Sequence, residues 1–217
     1  MGSLGRSDAK RPSRLWIILP VSLLVAAVVA TRFDVGLSTW WASKPLPREL
    51  RTLLRFGETF GHFYGAAAIV LSVAIVCRSA RLGLRLGWVV AAGGLAANVV
   101  KLLVGRQRPY ALTESFQDSA LPGFISWLPA WLQDSFEYGH AIQSFPSGHT
   151  ATAAGLAFGL SRIWPHASPW FAFLACVVAV QRMESGAHFL SDVLAGGAVG
   201  LTAAYLASLS VRLRGAK

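Results

Sequence analysis

The sequence predicts an all-α protein, a polytopic membrane helix bundle of about six transmembrane helices. Three observations carry this prediction. Of 217 residues, 54% are hydrophobic and only 14% charged, with a mean hydropathy of +0.50, outside the range of ordinary soluble domains. Long apolar runs recur along the chain, several near the ~20 residues that cross ~30 Å of hydrocarbon. No run alternates with a period of two, which argues against a membrane barrel.

The runs, in order, are residues 15–31, 60–77, 86–104, 151–164, 170–180 and 189–211. Those starting at 151 and 170 reach a span's length only if their flanks join in. The first follows Arg11 and Arg14 and ends in small residues near Ala30, features shared with a cleavable secretory signal. Its apolar run is at the long end for a signal core, so a retained helix is expected. A single domain, 1–217, thus comprises a cytoplasmic tail (1–14), the spans, a candidate interfacial helix (45–56) and an outward-facing loop (105–146).

Topology follows from basic residues. Arg78, Arg81 and Arg85 fall in one short loop, and with Arg6, Lys10, Arg11 and Arg14 they place both termini in the cytoplasm. The chemistry is then expected to face the outside of the membrane, opposite the termini. Net charge is +10 and the pI about 10.6. These charges are split between the membrane faces and form no stripe with aromatics, so anionic lipid is the expected partner and nucleic acid is not.

Two connecting stretches carry a pattern. In LPRELRTLLRF, Leu46, Leu50, Leu53 and Leu54 share one helical face and Arg48, Arg51 and Arg55 the other, as in a helix lying flat at an interface or a solvated loop helix. The 105–146 loop holds Trp127, Trp131, Phe136 and Tyr138, suited to a membrane-surface belt or a cover over a site. Gly57, Gly61 and Gly65, Gly155 and Gly159, and Gly196 and Gly200 recur every fourth residue, spacing that lets neighbouring helices approach closely. Cys77 and Cys176 form no CxxC and read as small apolar fillers. Neither HExxH nor a GxxxxGK[ST] loop is present.

The chemistry sits in three separated blocks that this topology brings to one membrane face. They are KLLVGRQRP, with Lys101 and Arg108; Pro146-Ser147-Gly148-His149; and RMESGAHFLSD, with Arg182, His188 and Asp192. Ionisable groups at membrane depth are costly, so their convergence points to function. Each alone has an ordinary structural explanation, such as an ion pair, a cap or a snorkelling arginine. Jointly those explanations leave the convergence unaccounted for.

Three cations and two imidazoles suit a phosphate. Guanidinium forks grip phosphoryl oxygens and lysine adds a compact charge. The Pro-Ser-Gly turn opening a helix can aim amides and the Ser147 hydroxyl at the same oxygens, with Gly148 allowing close approach. His188 and Asp192 are one helical turn apart, so the carboxylate can fix the ring's tautomer and leave the other nitrogen as nucleophile. His149 can protonate the leaving oxygen and then activate water. Asn98, Glu58, His62, His140 and Arg106 read as packing, loop or secondary substrate contacts.

In order and spacing these blocks resemble the three-block signature of the type-2 phosphatidic acid phosphatase family, membrane lipid phosphatases whose site is shared with vanadium haloperoxidases. The resemblance implies a haloperoxidase-like helical core. It also implies His188 as phosphorylated nucleophile, Asp192 as its partner, His149 as general acid, and Lys101, Arg108, Ser147, Gly148 and Arg182 as phosphate ligands. No metal or other cofactor is implied. The family often has Ser before the third block's arginine; here Gln181 stands there, so one polar contact near the phosphate differs. The expected substrates are lipid phosphates: undecaprenyl pyrophosphate, phosphatidylglycerol phosphate, phosphatidic acid or a lipid A phosphate. The alternatives are a phospholipid or polyprenyl-phosphate transporter, which would bind nearer mid-membrane on broken helices, and a noncatalytic lipid-binding protein, which would not need the His188–Asp192 pair.

Overall fold

A computed structural model describes residues 15–43, 46–112, 123–126, 139–211 and 213. Eight α-helices are labelled among them: α1 (Leu15–Ala30), α2 (Asp34–Ser43), α3 (Arg48–Glu58), α4 (Phe63–Val76), α5 (Ala80–Leu103), α6 (Gly148–Ile163), α7 (Ser168–Glu184) and α8 (Leu190–Ser210). The basic tail 1–14, the C-terminal cations Arg212, Arg214 and Lys217, and the aromatics Trp127, Trp131, Phe136 and Tyr138 lie outside the described residues.

The all-α membrane bundle is as predicted, and the count of about six spans is approximate. Among the described residues, three runs are long and apolar enough to cross a membrane: Trp16–Ser43, Ala80–Leu103 and Leu190–Ser210. α3 with α4, bent by 61° between them, makes a fourth as a broken pair. α4, α6 and α7 have 14, 16 and 17 residues, about 21–26 Å of helix. α6 can be short because it is the central helix, packed by α5, α7 and α8. The core around it includes Leu86, Val89, Leu156, Phe158, Leu160 and Val178. The bundle's outside is apolar instead: Val28, Phe63, Val76 and Leu84 are each more than 70% exposed, a surface matched to lipid.

Glycine makes the central packing possible. A Cβ on Gly200 would fall against the Ala151 carbonyl, and one on Gly196 against the Ser147 carbonyl, so α8 rests directly on the backbone of α6. Gly61 meets the His149 carbonyl in the same way. The regular glycine spacing therefore packs helices within the chain.

Two boundaries differ from expectation. α5 starts at Ala80, so Arg81 and Arg85 sit in its first turns and not in a loop. Ser79 explains the early start, since its side chain caps the helix by accepting from the Leu82 amide. The first span also runs on: a 3-10 turn at Thr31–Phe33 leads straight into α2, where a loop was expected. α1 packs along α8, as an integral member of the bundle. Between α5 and α6, β1 (Gly105–Arg106) pairs antiparallel with β2 (Phe124–Ser126), a short pairing that the chain shows no periodicity for.

Candidate active site

The C-terminal ends of α5 and α7 and the N-terminal ends of α6 and α8 meet at one end of the bundle. Backbone bonds lock them. The Ser147 amide donates to the Asp192 carbonyl at 3.0 Å, joining the start of α6 to α8. Segment 106–108 runs beside 141–144, with Arg108 N donating to Ala141 O and Ser144 N to Arg106 O. The α7–α8 turn closes when the Ala187 and His188 amides both donate to the Arg182 carbonyl, with Gly186 at φ +67° making the reversal a side chain would strain. All three sequence blocks are thus brought together.

The phosphate-binding candidates line this end. Lys101 Nζ and Arg108 Nη2 both point to the Gln143 carbonyl, at 3.2 and 3.5 Å, and Arg108 Nε donates to His140 O at 2.9 Å. A Cβ on Gly148 would project into space bounded by Lys101 Nζ and Asn98 Oδ1, both 3.9 Å away. A hydrogen there keeps the first amides of α6 open beside the lysine. Ser147 is fully buried, and its hydroxyl oxygen caps α6 by accepting from the Thr150 hydroxyl (2.9 Å) and amide (3.4 Å). The capping role was not anticipated; serine at a helix start serves cap and ligand alike in sequence. Gln181 Oε1 accepts from Arg182 Nε at 2.6 Å, so the residue that departs from the family pattern orients the arginine.

His188 is 2% exposed, and its Nδ1 faces Asp192 Oδ2 at 3.8 Å, longer than a hydrogen bond. Asp192 is already engaged: Oδ2 accepts from Ser144 Oγ (2.6 Å) and from the Phe189 amide (2.8 Å), and Oδ1 from Arg106 Nη1 (2.6 Å). It therefore caps α8 as well as facing the histidine, and a carboxylate keeps lone pairs for a closer His188 contact. With Nδ1 turned to the acid, Nε2 is the nitrogen left for phosphorus. Burial pushes the His188 imidazole down to about 4, against the upward pull of Asp192, so the ring is neutral near pH 7.

Three residues read as packing, loop or secondary substrate contacts, Arg106, Glu58 and His62, belong to the site. Arg106 is buried, with its Cζ 4.4 Å from the centre of the Phe189 ring, and bridges Asp192 to Asp34 through Nη2 at 2.8 Å. Burial works against its charge, but Asp192 and Asp34 outweigh that and raise its pKa. Asp34, unremarked in the sequence, accepts from the Ser191 amide at 3.0 Å and from its hydroxyl. Glu58 is the second: its Oε1 accepts from Arg182 Nη2 at 2.7 Å and lies 3.5 Å from His149 Nε2. His62 also joins the site, its ring 5.4 Å from that of His149.

The Asp34–Arg106–Asp192 chain is a buried network in which one cation serves two anions. Arg106→Met is expected to destabilise the fold by about 3–5 kcal/mol, because both carboxylates stay buried without their partner. Denaturant unfolding in detergent, followed by tryptophan fluorescence, measures this. A midpoint equal to that of the unaltered protein would mean the network carries no stability.

The sequence profile of the PAP2 superfamily matches residues 82–216. A relative described as Lipid A 1-phosphatase, from Rhizobium johnstonii, is 28% identical over 211 residues, covering 90% of this chain and 80% of its own. Two solved structures share the fold. One is a transmembrane PAP2 type phosphatidylglycerolphosphate phosphatase from Bacillus subtilis, with a TM-score of 0.61 at 20% identity over 88% of this chain and 94% of that one. The other is Aquifex aeolicus LpxE, with a TM-score of 0.60 at 20% identity over 82% and 96%. At that identity both likenesses speak to fold alone.

Proposed function

The chain belongs to the PAP2 superfamily and is a membrane lipid phosphatase; from that premise we propose that it hydrolyses a headgroup phosphate through a phosphohistidine on His188, without a metal. One observation supports this above the others. Four helix ends bring Lys101, Gly148, His149, Arg182, His188 and Asp192 to a single site. In the first step His188 Nε2 attacks phosphorus, the bond to the lipid oxygen breaks, and His149 gives that oxygen its proton. In the second, His149 takes a proton from water, the water oxygen attacks phosphorus, and the P–N bond breaks to release inorganic phosphate. Lys101, Arg108, Arg182 and the first amides of α6 stabilise the charge on the equatorial oxygens in both. Placement of these groups at helix ends favours catalysis at a membrane surface over transport through a mid-membrane site.

The substrate proposed is a glycosyl 1-phosphate of lipid A type, supported by the described activity of the relative that aligns along 90% of this chain. The site is proposed to face the periplasm of a bacterial inner membrane. Inorganic phosphate release from detergent-dispersed lipids tests the substrate, comparing lipid A 1-phosphate with phosphatidic acid, phosphatidylglycerol phosphate and undecaprenyl pyrophosphate. Lipid A 1-phosphate is expected to show the highest kcat/KM, and EDTA is expected to leave it unchanged. Faster turnover of another lipid overturns the substrate, and loss of activity in chelator overturns the metal-free mechanism.

A further inference from the structure

Glu58 brings a carboxylate into a pocket built to hold an anion, and the mechanism above leaves it unused. Its negative charge opposes phosphate binding at Arg182, so its position calls for a compensating role. His149 supplies one. The groups facing that imidazole are Arg182 from α7, Lys101 from α5, His188 from the α7–α8 turn and His62 from the turn after α3. Burial above all disfavours a proton on the ring, the cations among these groups add to that, and the imidazoles do so whenever they are charged. A general acid needs that proton when the bond to the lipid oxygen breaks.

Glu58 is the carboxylate that faces the ring, and backbone geometry holds it there. It is the last residue of α3, and its carbonyl accepts from the Gly61 and His62 amides at 2.9 and 3.0 Å. That turn rests on the His149 carbonyl, where a Cβ on Gly61 would clash. α3 itself is tied to α7 by Arg51 Nε donating to Glu184 Oε1 at 2.9 Å. We propose that Glu58 is a positioning residue that, 3.5 Å from His149 Nε2, favours the protonated form of that ring and aims it at the leaving oxygen. This rests on the reading of His149 as general acid. It gives α3 a purpose, since the helix delivers the acid's counter-ion to the site.

Glu58→Gln isolates the charge, because the amide oxygen can still accept from Arg182. The test compares kcat/KM, which reports steps through phosphoryl transfer to His188, across pH for two substrates. Dihexanoyl phosphatidic acid has an alkoxide leaving group that needs a proton; p-nitrophenyl phosphate has one that departs without it. For the alkyl ester, the expected result in Glu58→Gln is a basic limb lowered by about one pH unit and a roughly tenfold loss above it. For p-nitrophenyl phosphate the loss is expected to stay within about twofold. His149→Ala, run in parallel, is expected to show the same selectivity with a larger loss. Inhibition by vanadate at unaltered or lower concentration establishes that the Glu58→Gln pocket is intact. Equal losses on both substrates, or a gain on both from tighter phosphate binding, would mean Glu58 acts only through Arg182 and would overturn the inference while sparing His149. If His149→Ala itself shows no leaving-group selectivity, the general-acid reading falls and this inference with it.

Discussion

His188→Ala is expected to reduce phosphate release from every lipid substrate by on the order of 10⁵-fold or more, because in the proposed mechanism the covalent intermediate forms on that ring. Phosphate-ester hydrolysis is extremely slow in water, so whatever rate remains measures the cations and amides acting on direct attack by water. Those groups are untouched by the substitution. Lys101, Arg108 and Arg182 are placed by their own helix ends and by the Gln143 and His140 carbonyls. Inorganic phosphate, which those cations and amides hold without a bond to the histidine, is therefore expected to bind the variant with affinity near that of the parent. Rapid acid-free quenching with ³²P-labelled lipid supplies the second readout: the parent should carry an acid-labile, alkali-stable label, and the variant none. A variant that kept its label, or near-parental turnover, would remove His188 from the mechanism.

The apolar helices and the three motif blocks were legible in the sequence because each depends on local pattern. A run of apolar residues is its own evidence, and His188 with Asp192 one turn on is a spacing within a single helix start. Asp34 and Arg106 were not legible for the opposite reason. Asp34 meets Ser191 across 157 positions, and Arg106 meets Asp192 across 86. No periodicity encodes such a pair; what the sequence offers is an acidic residue just past an apolar span, and the Arg106 that answers it lies 72 positions on. Glu58 was concealed differently. It follows the Arg48, Arg51, Arg55 face of an amphipathic helix and reads as a packing, loop or secondary substrate contact, whereas in the fold its Oε1 lies 3.5 Å from His149 Nε2. Ser147 shows a third limit, because a serine that opens a helix has the same sequence whether its oxygen caps the helix or touches a ligand.

Asp192→Asn is expected to fold yet lose about 10⁴-fold in kcat, the scale seen when a tautomer-fixing carboxylate becomes an amide in a serine-protease triad. Folding should survive because the asparagine oxygen can accept from Arg106, Ser144 or the Phe189 amide, the bonds that cap α8 and bridge to α2 through Asp34. The loss arises in the transition state. As His188 bonds to phosphorus its ring becomes cationic, and a buried cation without an anion 3.8 Å away is strongly disfavoured. The pH profile separates this cause from a change in nucleophile ionisation. Burial already holds His188 at about 4, and Asp192 pulls that value upward, so removing the charge must lower it further. The acidic limb of kcat/KM, where His188 takes a proton, is thus expected to move to lower pH even as the plateau falls. An acidic limb that moved upward would show that Asp192 does not act on His188 as an anion, and an unchanged plateau would take Asp192 out of the reaction.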